Sequence, residues 1–389
     1  MLIQVYLFIV SVLVVVVLVL KRISVALAIL VSLLLYSIPL LGFGVVDVVL
    51  ESLNYTMFNT VASLVFAMIL ANIYRETRAA KELVESLEYI GAKTAAVSIP
   101  AIIGLLPMPA GAYISATMID PVYTKMELDP YKKTFTNFWF RHIWITIWPL
   151  YQNIIIASAL LGVSYTELLS RNWPIALASL LSGIIVFTAI TRDKNNWRNS
   201  NSGLRGLLHT WPFILLAILS LVASIPLYIA LAIVITTAIA VYRVPRGILL
   251  RAVKRALDPS LISLIIISLM YGKAIEKTRL AEILVALLSS QGFTAMLLIP
   301  LAIVFATGFE FTFVALGFPA LKGLIQIDPN YITIGFLGGF IGSMLSPAHA
   351  CLVMSSKYFK AELPRVYKYT VPASILTLVI TLVLITFFH

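Results

Sequence analysis

Two stretches, ETRAAKELVESLEYIGAKTAAVSIP (Glu76–Pro100) and EKTRLAEILVALLSSQGFTAMLLIP (Glu276–Pro300), decide how the rest of this chain is read. Glu76, Glu82 and Pro100 return as Glu276, Glu282 and Pro300, each displaced by 200 residues, and Gly91 has its counterpart in Gly292. Downstream, each copy meets a stretch broken by Pro or Gly and then a further proline: Pro149 after Trp148, and Pro347 after Ser346, displaced by 198. Landmarks that hold register over so long a stretch mark an internal duplication.

What surrounds the duplicated stretches is almost entirely apolar. Hydrophobic residues make up 61% of the 389 and charged residues 12%, about half the charge of a soluble domain. The chain therefore reads as an all-α polytopic membrane protein. A net charge of +11 would point to nucleic acid in a soluble protein, but here the basic residues sit in loops beside apolar spans, so no nucleic-acid partner is expected. A single cysteine, Cys351, excludes an internal disulfide and a Cys-rich metal site. The run from Leu2 to Leu20 lacks a basic leader and a small-residue cleavage site, and reads as a span and not a signal peptide.

Apolar runs long enough to cross a bilayer lie near 2–20, 23–41, 56–74, 143–161, 173–190, 207–223, 225–242, 257–272, 332–353 and 366–388. Two more, near 94–119 and 293–319, carry Pro or Gly at mid-length and read as re-entrant hairpins. With the N-terminus outside, 23 of the 28 Lys and Arg residues fall on the inner face and 5 on the outer, among them Lys277 and Lys322. That asymmetry fits the positive-inside rule. Making either hairpin a full span destroys it, so the two repeats are expected to be inverted. The expected organisation is N-terminal scaffold helices (1–55), repeat 1 (56–161, with a broken helix near 134–161), connecting helices and a polar linker around Thr191–Leu204 (162–256), repeat 2 (257–365, with a broken helix near 332–353) and a C-terminal helix (366–389). Segments 75–91 and 275–291 read as matching amphipathic helices: either arms joining fixed and mobile parts, or plain interfacial helices.

Inside a bilayer a break in a helix is tolerated only within protein or beside a water-filled cavity. Four breaks are expected, two per repeat. Pro107, Pro109 and Gly111 interrupt the first hairpin, and Thr307, Gly308, Glu310 and Thr312 mark the second. Trp148–Asn153 interrupts the first broken helix; Ser346, Pro347 and His349 interrupt the second. Free amides and carbonyls at such ends would suit an anion and its coupling cations. Glu310 is the ionisable group at a hairpin tip, and reads as a proton or cation site or as a carboxylate anchored to local amides. His349 could bind substrate, accept a proton or simply pack. With Cys351 it makes two candidate ligands, too few for a metal. Arg141 and His142 face an anion or Glu310 if their helix begins near Thr134, and snorkel if it begins near Ile143. Ser115, Tyr151, Gln152 and Asn153 are neutral groups near the breaks, each able to bind substrate or to satisfy backbone.

PMPAGAYISATMIDP (Pro107–Pro121), FWFRHIWITIWPLYQNIII (Phe138–Ile156) and GFIGSMLSPAHACLVMSSKYF (Gly339–Phe359) resemble a prokaryotic integral-membrane family, a domain-of-unknown-function group of the ion transporter superfamily. That superfamily includes divalent anion–sodium symporters, gluconate and citrate permeases and the arsenite pump channel. The resemblance implies two inverted repeats, each with a re-entrant hairpin and a broken helix, in a homodimer working by an elevator motion. Dicarboxylate symporters carry Ser-Asn-Thr at both hairpin tips, whereas these tips read Pro-Met-Pro-Ala-Gly and Thr-Gly-Phe-Glu-Phe.

Together the residues and the resemblance lead to an expectation: a secondary active transporter in the cell membrane, carrying a small organic or inorganic anion, coupled to protons or sodium, and needing no cofactor. Duplicated units with interrupted helices suit that class, and no Gly-rich ATP-binding loop with Lys-Ser/Thr is present. A lipid-carrier flippase shares the mechanics; a lateral basic opening to the bilayer would favour it. An intramembrane enzyme would need a motif such as His-Glu-x-x-His or Gly-x-Ser-x-Gly, and none is found.

Overall fold

A computed structural model describes residues 2–106, 111–192, 197 and 203–388, and the regular structure among these is all helical, without a strand. Nine helical segments of the described residues are long and apolar enough to cross a membrane, so the chain is an all-α, multi-pass membrane protein. Exposed Leu, Ile, Val and Phe cover the outward faces of Leu2–Leu20 and Leu363–Phe388, as expected where the surrounding solvent is lipid.

The elements recur in one order on either side of the middle of the chain. Tyr55–Glu76, Ala79–Ile90, Ala92–Gly104, Gly111–Lys125, Pro130–His142, Gln152–Leu161 and Tyr165–Ile190 form the first series. Pro259–Lys277, Leu280–Leu288, Gly292–Thr307, Phe313–Ile327, Tyr331–Leu345, Ala350–Phe359 and Leu363–Phe388 form the second. Packing follows the same order: Ala92–Gly104 lies against Pro130–His142 as Gly292–Thr307 lies against Tyr331–Leu345, and the two closing helices pack on each other.

Ion pairs reveal how the series are oriented. Lys277, at the end of Pro259–Lys277, donates to Glu51 at 2.6 Å, just ahead of the start of Tyr55–Glu76. Glu76, at the other end of that helix, accepts from Arg251 at 2.8 Å and from Arg255, just ahead of Asp258 and Pro259. A helix of 22 residues is about 33 Å long, so these pairs lie at opposite ends of the bundle. The matching helices run antiparallel.

Several boundaries differ from those read in the sequence. The span near 23–41 continues through a short 3-10 turn to Ser52, and the one near 173–190 begins at Tyr165, with Ser164 capping it by accepting from the Glu167 amide. The run near 143–161 is not one helix. Pro130–His142 is capped by Asp129, which accepts from the Tyr131 and Lys132 amides, and the chain then leaves helix until Gln152. Leu227–Tyr242 is a shorter apolar helix of 16 residues. Of the polar linker, Thr191–Arg192, Trp197 and Gly203–Leu204 lie within the described residues.

Candidate functional site

The interruptions are held open by side chains that satisfy their backbone. Trp144 Nε1 donates to the Ala101 carbonyl and Trp148 Nε1 to the Leu105 carbonyl, both at 2.9 Å, and the Tyr151 hydroxyl donates to Gly104 O at 2.6 Å. Three aromatic residues of the first broken helix thus cap the carbonyl end of the first hairpin arm, where intrahelical partners run out. Asn153 donates to the Ile145 carbonyl at 2.8 Å and Asn172 to that of Thr146 at 3.0 Å. In the second half Ser346 Oγ donates to the Phe305 carbonyl at 2.7 Å and accepts from the Ala348 amide. Thr307 Oγ1 donates to the Ile303 carbonyl, and Thr312 lies 2.8 Å from it.

Gly308 shows how closely the breaks meet. Its φ is +76°, and a Cβ there would lie 2.6 Å from the carbonyl carbon and oxygen of Ala348. The second hairpin break thus rests directly on the second broken helix. In the first half Gly104, at the end of its helix, packs closely on the Arg141 carbonyl.

A cavity of about 390 Å³ lies where three of the breaks meet, those of the two broken helices and of the second hairpin; no described residue flanking the first hairpin break lines it. Arg141, His142, Tyr151, Gln152 and Asn153 face it from the first half, and Gly308, Glu310, His349 and Cys351 from the second. Its mouth is rimmed by Ser24 and Ser260, both exposed and at the bundle end that carries Arg251 and Arg255. Two helices begin at the cavity, Gln152–Leu161 behind Tyr151 and Ala350–Phe359 behind His349, and neither start has a side-chain cap. The first amides of a helix have no intrahelical partner, so two positively polarised helix ends open into one space. Arg141 adds a full charge. It lies near the end of a helix that begins at Pro130, is 4% exposed, and its Nε has no hydrogen-bond partner. That burial removes the snorkelling reading.

His142 and His349 face each other across the two halves, Nε2 to Nε2 at 3.2 Å. Proton accounting sets their tautomers. His142 Nδ1 lies 2.6 Å from the Phe138 carbonyl, which can only accept, so Nδ1 holds the proton. Ser343 Oγ donates to Glu310 Oε1 at 3.0 Å, and so accepts from His349 Nδ1, also at 3.0 Å. The two Nε2 lone pairs therefore point at one another. Glu310 is half-buried, with Oε1 3.6 Å from His349 Nε2. The His142, His349 and Cys351 ligand atoms all lie within 4.8 Å of one another. The pair of candidate ligands read in the sequence, His349 and Cys351, is thereby corrected to three, because His142 arrives from the other half.

The remaining sequence candidates lie elsewhere. Pro107 and Pro109 lie outside the described residues. Gly111, itself buried, begins a helix in which Ser115 donates to Asn137 Oδ1 at 2.7 Å. Asn137 in turn donates to the Ala112 carbonyl and to Ser355 Oγ, joining three elements of both halves, and no reading of the sequence singled it out. Thr307, Thr312 and Ser346 serve the backbone, and Pro347 is exposed. A second cavity, of about 470 Å³, lies at the opposite end, lined by Thr56, Glu51, Lys273, Arg279 and Lys322. Lys273 there pairs with Glu51 and Glu276, and none of the breaks reaches it.

A model of the family described as "Protein of unknown function (DUF401)" matches residues 3–388, nearly the whole chain, and the chain belongs to that family. No curated protein matches it.

Proposed function

We propose that this member of the DUF401 family is a secondary active transporter for a small organic or inorganic anion, driven by a proton or sodium gradient. The observation that carries the reading is the cavity itself. Two uncapped helix starts, one from each half, and the buried Arg141 guanidinium converge on it. Helix starts and a charge-assisted donor together make an anion site, and a volume of about 390 Å³ suits a small solute. Antiparallel matching helices and paired breaks support placement in the ion transporter superfamily, with re-entrant hairpins in two inverted repeats.

Under the positive-inside rule the end carrying Arg251 and Arg255 is cytoplasmic, which puts the N-terminus outside and opens the cavity inward. In this reading Ala79–Ile90 and Leu280–Leu288 are the arms of an elevator within a homodimer in the cell membrane.

The experiment is a thermal-shift screen of the purified protein against carboxylates, oxyanions and sugar acids, with and without sodium. An anion at 100 times its Kd stabilises the folded state by about 2.7 kcal/mol, and Arg141→Gln removes that gain for the same anion. A wild-type protein that no anion stabilises, or a gain untouched by Arg141→Gln, overturns the reading. Uptake into proteoliposomes under a proton or a sodium gradient then assigns the coupling ion.

A further inference from the structure

The facing imidazoles pose a problem that an anion does not solve. Both Nδ1 protons are committed, His142's to the Phe138 carbonyl and His349's to Ser343 Oγ. Two lone pairs thus meet at 3.2 Å in a buried space, where an unmet acceptor pair is costly. A cation held between them relieves the repulsion of both at once.

We propose that His142 Nε2, His349 Nε2 and Cys351 Sγ form a binding site for a zinc-class transition-metal ion, with Glu310 as the carboxylate at the fourth position. Two nitrogens bound at the usual zinc distance on a tetrahedral ion are about 3.3 Å apart, close to the 3.2 Å observed. The thiol lies in reach of both, since all three ligand atoms fall within 4.8 Å of one another. Glu310 Oε1, at 3.6 Å from His349 Nε2, closes the fourth edge with a small movement.

The outer partners are those that metal-bound histidines use. Each imidazole donates its other N–H, one to a backbone carbonyl and one through Ser343 to a carboxylate, which fixes the ring and its tautomer. Two nitrogens and a sulfur select zinc or a similar borderline or soft ion over magnesium or calcium. Binding takes the thiolate and releases the Cys351 proton to water. A divalent ion, a thiolate and a carboxylate sum to zero. The Arg141 charge, which faces the same cavity, then remains for another ligand. The ion would tie His142 of the first half to three groups of the second. The site goes beyond anion transport and does not depend on it.

Cys351 is the only cysteine, so a thiol reagent reads the site in the intact chain. The purified full-length protein in detergent is treated with chelator, divided, and labelled with a maleimide in the presence of chelator, zinc or magnesium. Zinc at ten times its Kd slows labelling about tenfold by occupancy alone, and magnesium leaves the rate unchanged. In His142→Ala the chelated rate is kept and the zinc protection is lost. Cobalt(II), titrated into the wild-type protein, gives a thiolate-to-cobalt charge-transfer band that Cys351→Ser abolishes and zinc displaces. Equal labelling rates in zinc and chelator together with no such band overturn the site, and assign the cation between the imidazoles to a shared proton. Protection that survives both His142→Ala and His349→Ala also overturns it, since the ion then lies elsewhere. If His142→Ala does not fold, the wild-type labelling and cobalt measurements decide alone.

Discussion

Gly308→Ala tests whether the contact between the two breaks of the second half holds the site together. Two costs add. The residue sits at φ +76°, where an L side chain loses about 1–2 kcal/mol. Its new Cβ would also lie 2.6 Å from the Ala348 carbonyl and 2.8 Å from the His349 amide. These are backbone atoms that cannot rotate away, so overpacking adds about 1–3 kcal/mol. The sum is about 2–5 kcal/mol. Gly162 supplies the control within the same molecule: its φ is +73°, yet nothing lies within 4 Å of its Cβ position. Gly162→Ala should cost only the conformational part, about 1–2 kcal/mol. Denaturant unfolding of both variants in the same detergent gives the comparison, and zinc protection of Cys351 should weaken only in Gly308→Ala, because His349 is what the new methyl displaces. If Gly308→Ala is no less stable than Gly162→Ala, the close approach of the breaks is not a feature of the folded protein.

Two further outcomes follow from the packing and the ion pairs. Single cysteines at positions 81, 243, 277 and 322 in a Cys351→Ser background should label from outside at Lys277 and Lys322, and only after permeabilisation at Lys81 and Arg243. Lys81 and Lys277 labelling from one side would refute opposed halves. Asn137→Ala leaves the Ser115 hydroxyl, the Ala112 carbonyl and Ser355 without their shared partner and should cost about 1–3 kcal/mol; unfolding at the wild-type midpoint would show that water replaces it.

The sequence discloses the breaks more readily than what lines them. Prolines and glycines such as Pro149, Pro347 and Gly308 announce lost donors or left-handed backbone at any distance, which is why the duplication can be read from residue spacing. Pro130–His142 was harder, because Lys132, Lys133, Thr134, Thr136 and Asn137 give its start the look of a loop. In the fold Thr134 and Thr136 return their hydroxyls to carbonyls one turn back, and Lys133 reaches Asp120 at 2.7 Å. Thr307, Thr312 and Ser346 read as ligands because hydroxyls beside a break suit either role; in a medium without water the backbone claims them first. The His142–His349 contact joins residues 207 positions apart, and no local pattern in the chain could announce it.

The two cavities sit at matching places. Ser260 is the second residue of Pro259–Lys277 and lines the smaller cavity, whereas Thr56 is the second residue of Tyr55–Glu76 and lines the larger one at the opposite end. Because those helices are counterparts laid head to tail, a trade of conformations between the halves would carry each opening into the other. For the transporter proposed above, reversal of access would then be an exchange of roles between the two halves.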